Sequence, residues 1–479
     1  MRGGRHCCYT ELMQLNPYIF RGYDIRGLVG TDLTNEIYYY LGRGYATFLV
    51  ERKIKLCPVG RDNRANSKSF SKYFIKGLND GGIDTIDLGL SLSQIVYFSS
   101  YHFLTKACAM VTASHNTKEF NGLKLGKGYS ETLALHEIQE IKHIIDADRF
   151  SVGYGSNRKK NIFPVYLKHI QKYFKLGKKW RIVVDTLNNT SGKFYPKLFC
   201  QAGCTVIHQN SWLLSSFPNG TDPTDKKVLD NLAKRVLQEK ADLGFAFDAD
   251  GDRMAVVDEL GKIHWMDIIT AIFAIDVLEN LPGSTIIYNN LCSRAVPETI
   301  RKLDGHPLMW KTGHSYIKSK IRETGAMLGG ELSGHIFFMD NFFGHDDAAY
   351  ACLRLLTFLE KHHETMSQTC TSIETHIGSP EIKLGVPDDQ KINLVENLIK
   401  HDLITLWPEA KITDIDGVRL DTDELMVVIR ASQNGPYITI RFEAQNEKLY
   451  NDIKVKIITL LSRYPEIDWR EGINVYALK

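Results

Sequence analysis

The sequence predicts an α/β fold of three similar domains with mixed or parallel sheets, followed by a C-terminal α+β domain. Three segments share one order of a short apolar strand, a polar loop, a helical run, a Gly-marked turn and another strand, and they begin near Cys57, Trp180 and Thr285. Repeated βαβ units imply parallel pairing with helices on both faces of a sheet. The C-terminal part instead shows strand alternation at 424–429 and 437–442, flanking a loop.

The chain is long enough for several domains. Its 479 residues exceed what one hydrophobic core usually supports. Polar or Gly-containing stretches near 153–160, 259–261 and 365–372 are candidate linkers. We therefore predict three α/β domains and one α+β domain with the boundaries 1–155, 156–259, 260–370 and 371–479.

Composition and charge narrow the functional class. Hydrophobic residues make up 43% of the chain and charged residues 24%, which is ordinary for a globular protein, and a net charge of +3 does not indicate a nucleic-acid partner. Residues 1–14 lack an apolar signal-peptide region, and no stretch approaches 18 uninterrupted apolar residues, so we expect a cytoplasmic protein without a membrane partner. The nine scattered cysteines favour neither a disulfide framework nor a zinc site.

A run of alternating acids predicts a metal site. Asp248, Asp250 and Asp252 stand between two apolar stretches, and Arg253 follows them directly. Oxygen ligands on a short loop favour a hard cation such as Mg²⁺, which completes its coordination with phosphate or water. A phosphorylated partner would supply the missing anionic ligand.

The same acids fit the opening spacing of an EF-hand, and Glu259 falls at the twelfth position of such a loop. Arg253 argues against that alternative, because an EF-hand needs glycine at this position for its sharp turn. The flanks 243–247 and 254–257 also have the pattern of strands rather than helices. A solvated acidic turn is the remaining structural alternative.

Ser114 lies on a loop that leaves the apolar run 107–111, where parallel sheets place their ligands. His115 could activate it as a nucleophile, although adjacent side chains rarely form the required hydrogen bond. Alternatively, Ser114 carries a phosphoryl group, which would be the anionic ligand that the Asp248 cluster lacks. An ordinary turn is the third interpretation.

Several motifs together resemble one known family. Thr112 to Asn116, followed by Asn121 to Lys124, resembles the phosphoserine loop of the α-D-phosphohexomutase family. The resemblance covers nearly the whole chain and implies four domains around a central cleft. Within this family, the sequence is most similar to the phosphomannomutase/phosphoglucomutase branch. The other matching motifs are the metal loop 248–253, the sugar-recognition loop 330–335, the N-terminal stretch 20–27 and the stretch 310–315.

The resemblance implies a reaction. A phosphoserine at Ser114 would donate its phosphoryl group to a hexose phosphate, and the bisphosphorylated sugar would turn and return its other phosphoryl group. Asp248, Asp250, Asp252 and the Ser114 phosphate would hold Mg²⁺, and Arg253 would bind the same phosphate oxygens. A hexose 1,6-bisphosphate would act as activator.

The resemblance also implies residue roles. Lys124 is the leading general acid or base, with His335 or His115 assisting. Glu331 and Ser333 would bind paired sugar hydroxyls in both orientations of the sugar. The further residues implied to contact the substrate are Tyr23, Arg26, Lys311, His314 and His335.

The loop 430–436 would hold the phosphate that is not transferred, and here the chain departs from the family pattern. Arg430 and Ser432 match that pattern, whereas Gln433, Asn434 and Gly435 differ from it. The amide of Asn434 still provides a donor. We therefore expect a working pocket in which affinity and substrate preference are altered.

The leading prediction is a phosphohexomutase that acts on mannose phosphate, glucose phosphate or both, as a monomer or small homo-oligomer. The first alternative is a phosphoglucosamine mutase, against which the residues Ser333 and His335 argue, because amino-sugar relatives carry other residues there. The second alternative is a catalytically silent relative that binds a sugar phosphate or a partner protein.

Overall fold

Four β-sheets follow one another along the chain in a computed structural model that describes residues 15–373 and 376–479. Three α/β units precede a unit dominated by antiparallel strands, which confirms the predicted fold class. Residues 1–14, in whose sequence no apolar targeting run was found, lie outside the described residues. In the described ranges, no helix has the length and apolarity needed to cross a bilayer.

The first sheet is parallel at its centre and antiparallel at one edge. Its last strand lies just beyond the boundary predicted at residue 155, and the four domain boundaries remain predictions. The strand order is Ile25–Leu28, Phe120–Gly126, Cys108–Val111, Leu56–Arg61, Asp84–Leu90 and Asn157–Lys159. The accompanying helices are the 3₁₀ turn Pro17–Ile19 and the α-helices Asn35–Glu51, Ser67–Asp80, Ser93–His102 and Leu135–Asp146.

The second and third sheets repeat this plan, each with parallel pairs and an antiparallel edge. The second has the strand order Ile263–His264, Met254–Asp258, Leu243–Phe247, Arg181–Asp185 and Thr205–Gln209, with the helices Phe163–Ile170, Thr190–Lys193, Tyr195–Gln201 and Lys226–Glu239. The third has the strand order His306–Trp310, Thr285–Asn289, Leu328–Gly330 and Ile336–Phe338, with the helices Met266–Asn280, Ala295–Lys302, His314–Thr324, Ala348–His362 and Met366–Thr371.

The fourth sheet is antiparallel at each junction between its described strands. Its order is Lys411–Thr413, Val418–Asp421, Leu425–Ala431, Tyr437–Ala444, Ile382–Gly385 and Asp468–Ile473, and Ile377–Gly378 also pairs with Tyr437–Ala444. Its helical segments are Lys391–Asn393, the π-helical stretch Leu394–Ile399, Lys400–Leu406, Glu447–Leu461 and Val475–Leu478.

The sheets share apolar surface. One buried cluster contains Ile86 of the first sheet, Phe245 of the second, Ile286 of the third and Met426 of the fourth. Removal of this surface from water therefore stabilises the arrangement of the sheets as well as each sheet. The relative positions of loops from different sheets are fixed by the same packing.

Two helices of the first unit pack at unusually short range. Asn35–Glu51 and Ser67–Asp80 meet at Gly42 and Gly77. A Cβ atom added at Gly77 would lie 2.1 Å from the carbonyl oxygen of Tyr39, and one added at Gly42 would lie 2.3 Å from that of Phe74. Only glycine permits these backbones to approach so closely.

Ion pairs join the fourth unit to the others. Lys383 Nζ donates to Asp222 Oδ2 at 2.7 Å, and Arg441 Nη2 donates to Asp267 Oδ2 at 2.8 Å. All four side chains are buried. Burial raises the pKa of Asp222, but the charges of Lys383 and Arg253 outweigh burial and lower this pKa to about 2.

Replacement of Gly77 by alanine should destabilise the protein. A helical Gly→Ala change normally stabilises by about 0.5–1 kcal/mol, but here the added methyl group must push the helices apart, so we expect a loss of about 2 kcal/mol. Thermal unfolding of Gly77→Ala measures the change. Lys72→Ala, at an exposed position of the same helix, is the matched control, and a Gly77→Ala protein as stable as wild type would contradict the close-approach argument.

The Asp222–Lys383 pair should make stability fall in acid. Because the pKa of Asp222 is about 2 in the folded state and about 3.9 when unfolded, the pair stabilises fully above about pH 4, and this contribution is lost as pH falls towards about 2. As pH is lowered, the melting temperature should fall more steeply for wild type than for Asp222→Asn. The variant should also be about 2 kcal/mol less stable at neutral pH, because Lys383 stays buried. Parallel pH profiles would contradict this assignment.

Candidate active site

Three loops meet at the centre of the molecule, and each follows a strand. Ser114 follows the strand Cys108–Val111, Asp248 follows Leu243–Phe247, and Glu331 follows Leu328–Gly330. Carboxyl ends of parallel strands are where α/β sheets bind ligands. The first three units therefore each contribute one loop to the site.

Ser114 and the Asp248 loop are in direct contact. Ser114 Oγ donates to Asp248 Oδ2 at 2.9 Å, although 134 positions separate the two residues. The backbone of Ser114 has a φ of 50°, a left-handed value, and its amide donates to Thr112 Oγ1 at 2.9 Å. Both side chains are fully buried. The structure thus brings together the two motifs that the sequence analysis linked through a phosphoryl group.

Arg64 holds the Ser114 loop, and its importance was not predicted. Its guanidinium donates to the Ser114 carbonyl at 2.7 Å and to the Asn116 carbonyl at 2.6 Å. It also pairs with Asp62 at 3.0 Å. These contacts satisfy the donors of the buried guanidinium and fix the loop conformation, so Arg64 acts as a positioning residue.

The three predicted metal ligands cluster. One carboxylate oxygen of each of Asp248, Asp250 and Asp252 lies within 4.8 Å of the others. Within the described chain, Asp250 Oδ1 and Asp252 Oδ1 are buried without a hydrogen-bond partner. An all-oxygen donor set with unsatisfied lone pairs fits a hard divalent cation. These residues form a candidate metal centre.

The loop that carries these acids joins an antiparallel pair of strands, Leu243–Phe247 and Met254–Asp258. An EF-hand loop lies between two helices. The flanking structure therefore excludes the EF-hand alternative. Burial of all three carboxylates likewise excludes a solvated acidic turn.

Lys124 neutralises part of this negative charge. Its Nζ lies 2.7 Å from Asp250 Oδ2 and 2.5 Å from Asp252 Oδ2. Burial lowers the pKa of Lys124, but the two carboxylates outweigh burial and hold the pKa above its ordinary value. The side chain is therefore an ammonium ion inside the site.

The pKa values of two of these carboxylates are shifted in opposite directions. Burial, together with Asp250 and Asp252, raises the pKa of Asp248 well above its usual range. Burial also raises the pKa of Asp252, but Lys124 and His335 outweigh it and hold that pKa well below its usual range. A cation beside Asp248 would offset the repulsion between these groups.

His335 and Glu331 form a second polar pair. His335 Nδ1 lies 2.9 Å from Glu331 Oε2, and His335 Nε2 lies 3.6 Å from Asp252 Oδ1. Burial and the charge of Arg253 lower the pKa of His335, but Asp252 and Glu331 raise it to about 9. Gly313 N donates to Glu331 Oε1 at 2.5 Å and fixes that carboxylate.

Two other predicted histidines are neutral near pH 7. Burial and Arg253 lower the pKa of His115 well below its ordinary value, and its Nδ1 lies 3.5 Å from Ser114 Oγ. Burial and Lys318 lower the pKa of His314 to about 4. A neutral imidazole is able to accept a proton, so His115 has the protonation state of a base.

The loop of the fourth unit reaches the first unit. Asn434 Nδ2 donates to Tyr23 Oη at 2.7 Å, across 411 sequence positions. Arg430 Nε donates to Asp416 Oδ2 at 2.8 Å, and Ser432 Oγ accepts from Asn434 N at 3.1 Å. The atypical residue Asn434 is therefore part of the contact that closes the cleft.

A small cavity lies between these groups, with a volume of about 30 Å³. Typical small-molecule sites have about 300–1,000 Å³. Ten of the predicted site residues line it, and they are Tyr23, His115, Arg253, Glu331, Ser333, His335, Arg430, Ser432, Gln433 and Asn434. The cleft is closed in this conformation.

Three other predicted substrate contacts are placed differently. Lys311 is exposed and does not line the cavity. Arg26 and His314 do not line the cavity either: Arg26 donates to the side chain of Asn116 at 2.9 Å, and His314 lies 3.5 Å from Asp24 Oδ1. The roles of all the predicted site residues remain predictions.

Glu381 and Lys383 line the cavity, although no motif pointed to them. Glu381 directly precedes the strand Ile382–Gly385, and Lys383 lies within it. Both side chains are on the face opposite to the buried Ile382 and Leu384. The sequence signal for these two residues is the alternation of polar residues with apolar residues along the strand. That signal does not distinguish a solvated face from a face that lines a cleft.

Family models match most of the chain. Residues 17–152, 164–261 and 265–376 match the phosphoglucomutase/phosphomannomutase α/β/α domains I, II and III, respectively. These matches include the Ser114, Asp248 and Glu331 loops.

Named proteins are similar over nearly the full length. The chain is 38% identical to a Pseudomonas aeruginosa phosphomannomutase/phosphoglucomutase over 437 residues. The aligned region covers 91% of this chain and 94% of the relative. A Neisseria gonorrhoeae phosphoglucomutase is 32% identical over 455 residues, 94% of this chain and 98% of the relative. A solved phosphoglucomutase/phosphomannomutase family protein from Burkholderia thailandensis superimposes with a TM-score of 0.84 at 30% identity, covering 94% of this chain and 98% of that chain.

These relatives do not favour a phosphoglucosamine mutase or a silent binding protein. They agree with the matched domain models and with the contact between Ser114 and Asp248. The chain belongs to the phosphoglucomutase/phosphomannomutase family, and it is a phosphohexomutase, an intramolecular phosphotransferase.

Proposed function

We propose that the enzyme interconverts the 1-phosphate and 6-phosphate of mannose, glucose or both, through a phosphoserine at Ser114 and a bisphosphorylated sugar. The observation that most supports this proposal is the 2.9 Å contact between Ser114 Oγ and Asp248 Oδ2. A phosphoryl group on Ser114 at this position would complete a cation site with the carboxylates.

In the first half-reaction, a hydroxyl oxygen of the hexose phosphate attacks the phosphorus atom. The bond from phosphorus to Ser114 Oγ breaks, and the sugar becomes a 1,6-bisphosphate. The hydroxyl proton passes to a base, and Ser114 Oγ receives a proton from an acid. The second half-reaction is the reverse, with the other phosphate of the reoriented sugar, so that Ser114 is phosphorylated again.

Charge and protonation suit this proton transfer. Lys124 is an ammonium ion within the carboxylate cluster and is the proposed acid for Ser114 Oγ. His115 is neutral, and its Nδ1 lies 3.5 Å from Ser114 Oγ. His335 lies on the sugar side beside Glu331. His115 is therefore the assisting base for the hydroxyl proton, whereas His335, whose pKa is raised to about 9, would assist as a proton donor.

Asp248, Asp250, Asp252 and the Ser114 phosphate would hold Mg²⁺, which when bound neutralises charge on the transferring phosphoryl group. Arg253 lines the cavity and lies 3.8 Å from Asp248 Oδ2. Its guanidinium would bind oxygens of the same phosphoryl group with fixed geometry.

The remaining cavity residues would bind the sugar phosphate. Glu331 and Ser333 line the cavity and would form hydrogen bonds with paired sugar hydroxyls. The second phosphate would lie against the loop of the fourth unit, where the donors are Arg430, Ser432, Asn434 and the newly found Lys383. A cavity of about 30 Å³ cannot admit a hexose, so the fourth unit would move away for binding and return to exclude water.

A hexose 1,6-bisphosphate would activate the enzyme by restoring the phosphoserine whenever the intermediate escapes. The preference between mannose and glucose, the monomeric or small oligomeric state and the cytoplasmic location remain predictions from the sequence.

Ser114→Ala should abolish turnover of both sugars, because no other group carries the phosphoryl group. Coupled assays with mannose 1-phosphate and glucose 1-phosphate, Mg²⁺ and a trace of the bisphosphate measure this loss, which we expect to exceed about 1,000-fold. Ser215→Ala, at an exposed serine, is the control. Turnover by a folded Ser114→Ala protein would contradict the phosphoserine, and the wild-type ratio of rates would give the sugar preference.

Removal of divalent metal should stop turnover, and Mg²⁺ should restore it. Metal should also raise the melting temperature, because it binds the folded carboxylate cluster and relieves the repulsion within it. Asp250→Asn should reduce both effects, whereas Asp230→Asn, at a solvent-accessible carboxylate outside the cluster, should reduce neither. Equal metal responses in the two variants would show that the cluster is not the metal site.

A further inference from the structure

A groove with strong positive charge lies between the first and second units, away from the central cleft. It has a volume of about 1030 Å³. Eight cationic and two anionic side chains line it, although the whole chain has a net charge of only +3. None of its lining residues lines the central cavity. The cationic residues are Arg61, Lys68, Lys72, Lys76, Lys159, Lys160, Lys193 and Lys197.

Most of these cations have no acidic partner. Lys76 pairs with Asp80 at 2.7 Å, and Asp87 accepts from the backbone of Gly89 at 2.9 Å. Among residues 15–373 and 376–479, no carboxylate lies within 4.0 Å of the charged groups of the other seven cations. Asp87 and Asp62 attract Arg61 from beyond that distance, which leaves six lysines without an ion-pair partner among the described residues. Like charges repel one another, and an anion in the groove would reduce that repulsion.

The cations are arranged in two rows. Lys68, Lys72 and Lys76 stand at every fourth position of the helix Ser67–Asp80, so they share one face over about 12 Å of helix length. Lys193 and Lys197 belong to the second unit and form the opposite wall. A ligand that satisfies both rows needs several negative groups, because one phosphate is too compact to reach them all.

The lining chemistry selects among anions. Lysine ammonium groups bind phosphate as point charges. The groove volume of about 1030 Å³ is that of a small-molecule site. Single-stranded nucleic acid requires exposed aromatic rings for base stacking, whereas Phe163 and Phe194 in this groove are only 8% and 4% exposed. The observations therefore favour a small ligand over a nucleic-acid strand.

We propose that this groove is a second anion site, which binds a small ligand with two or more phosphate groups, such as a nucleoside polyphosphate or a short polyphosphate. The ligand bridges the helix Ser67–Asp80 and the segment that carries Lys193 and Lys197. The two units already meet beside the groove, where Asn63 N donates to Thr190 Oγ1 at 3.0 Å. The site does not depend on the proposed mutase reaction.

The test is titration calorimetry of the full-length protein with inorganic triphosphate, ATP, inorganic phosphate and a single-stranded oligothymidylate. Triphosphate and ATP should bind far more tightly than inorganic phosphate, and their affinity should fall as salt rises from about 0.05 to about 0.2 M. Tighter binding of ATP than of triphosphate would assign the site to nucleotides, and equal binding would assign it to the phosphate chain. Inorganic phosphate binding as tightly as triphosphate, or tighter binding of the oligonucleotide, would overturn the proposal.

Charge-reversal variants locate the binding. Lys72→Glu/Lys193→Glu changes one residue of each wall and should weaken triphosphate binding at least tenfold, with unchanged melting temperature and hexose phosphate turnover. Lys227→Glu/Lys234→Glu, on the helix Lys226–Glu239 outside the groove, has the same charge change and should bind as wild type.

Two further variants keep the result interpretable. If the charge-reversed protein is unstable, Lys72→Gln/Lys193→Gln replaces it, with the same expected direction. Arg430→Ala removes a cation of the central cleft and should leave triphosphate binding intact. Loss of binding in Arg430→Ala, or full binding in the groove variants, would show that the polyphosphate binds elsewhere.

Discussion

The buried negative charge on the Asp248 loop is the constraint on which the rest of the structure depends. Three carboxylates so close together repel one another, and burial removes the water that would screen them. The compensating groups come from other units, because Lys124 belongs to the first sheet and His335 to a loop of the third. Docking of the sheets therefore also neutralises the metal loop, which ties the fold to the site.

Much of this architecture could be predicted because it is encoded locally. Short apolar strands followed by helices and glycine turns gave the three α/β units, since the residues that repeat this order are neighbours in sequence. The alternating acids at Asp248 and the loop around Ser114 were also visible, because each motif is contiguous. The resemblance to a family then connected them, and their contact at 2.9 Å agrees with that connection.

What could not be predicted depends on contacts between distant segments. Arg64 holds the Ser114 loop through carbonyl groups, which every residue possesses, so no residue type on that loop reveals the contact. Lys383 reaches the cavity from the fourth unit, and strand alternation identifies its face but not what covers that face. Conversely, Lys311 fits its motif but is exposed in the closed molecule. Sequence patterns specify elements more strongly than they specify the tertiary surroundings of a side chain.

The contact between Tyr23 and Asn434 has a consequence for synthesis in the cell. The two residues are 411 positions apart, so at a ribosomal rate of roughly 5–20 residues per second they emerge roughly 20–80 s apart. Asp267, which is buried in the folded protein, is likewise synthesised before its partner Arg441, which lies 174 positions later. The early units can fold while the ribosome is still translating, but they do so with an open cleft and a carboxylate that lacks its ion-pair partner. A nascent chain arrested before the fourth sheet would therefore expose these polar surfaces, and such intermediates are natural substrates for chaperones and proteases.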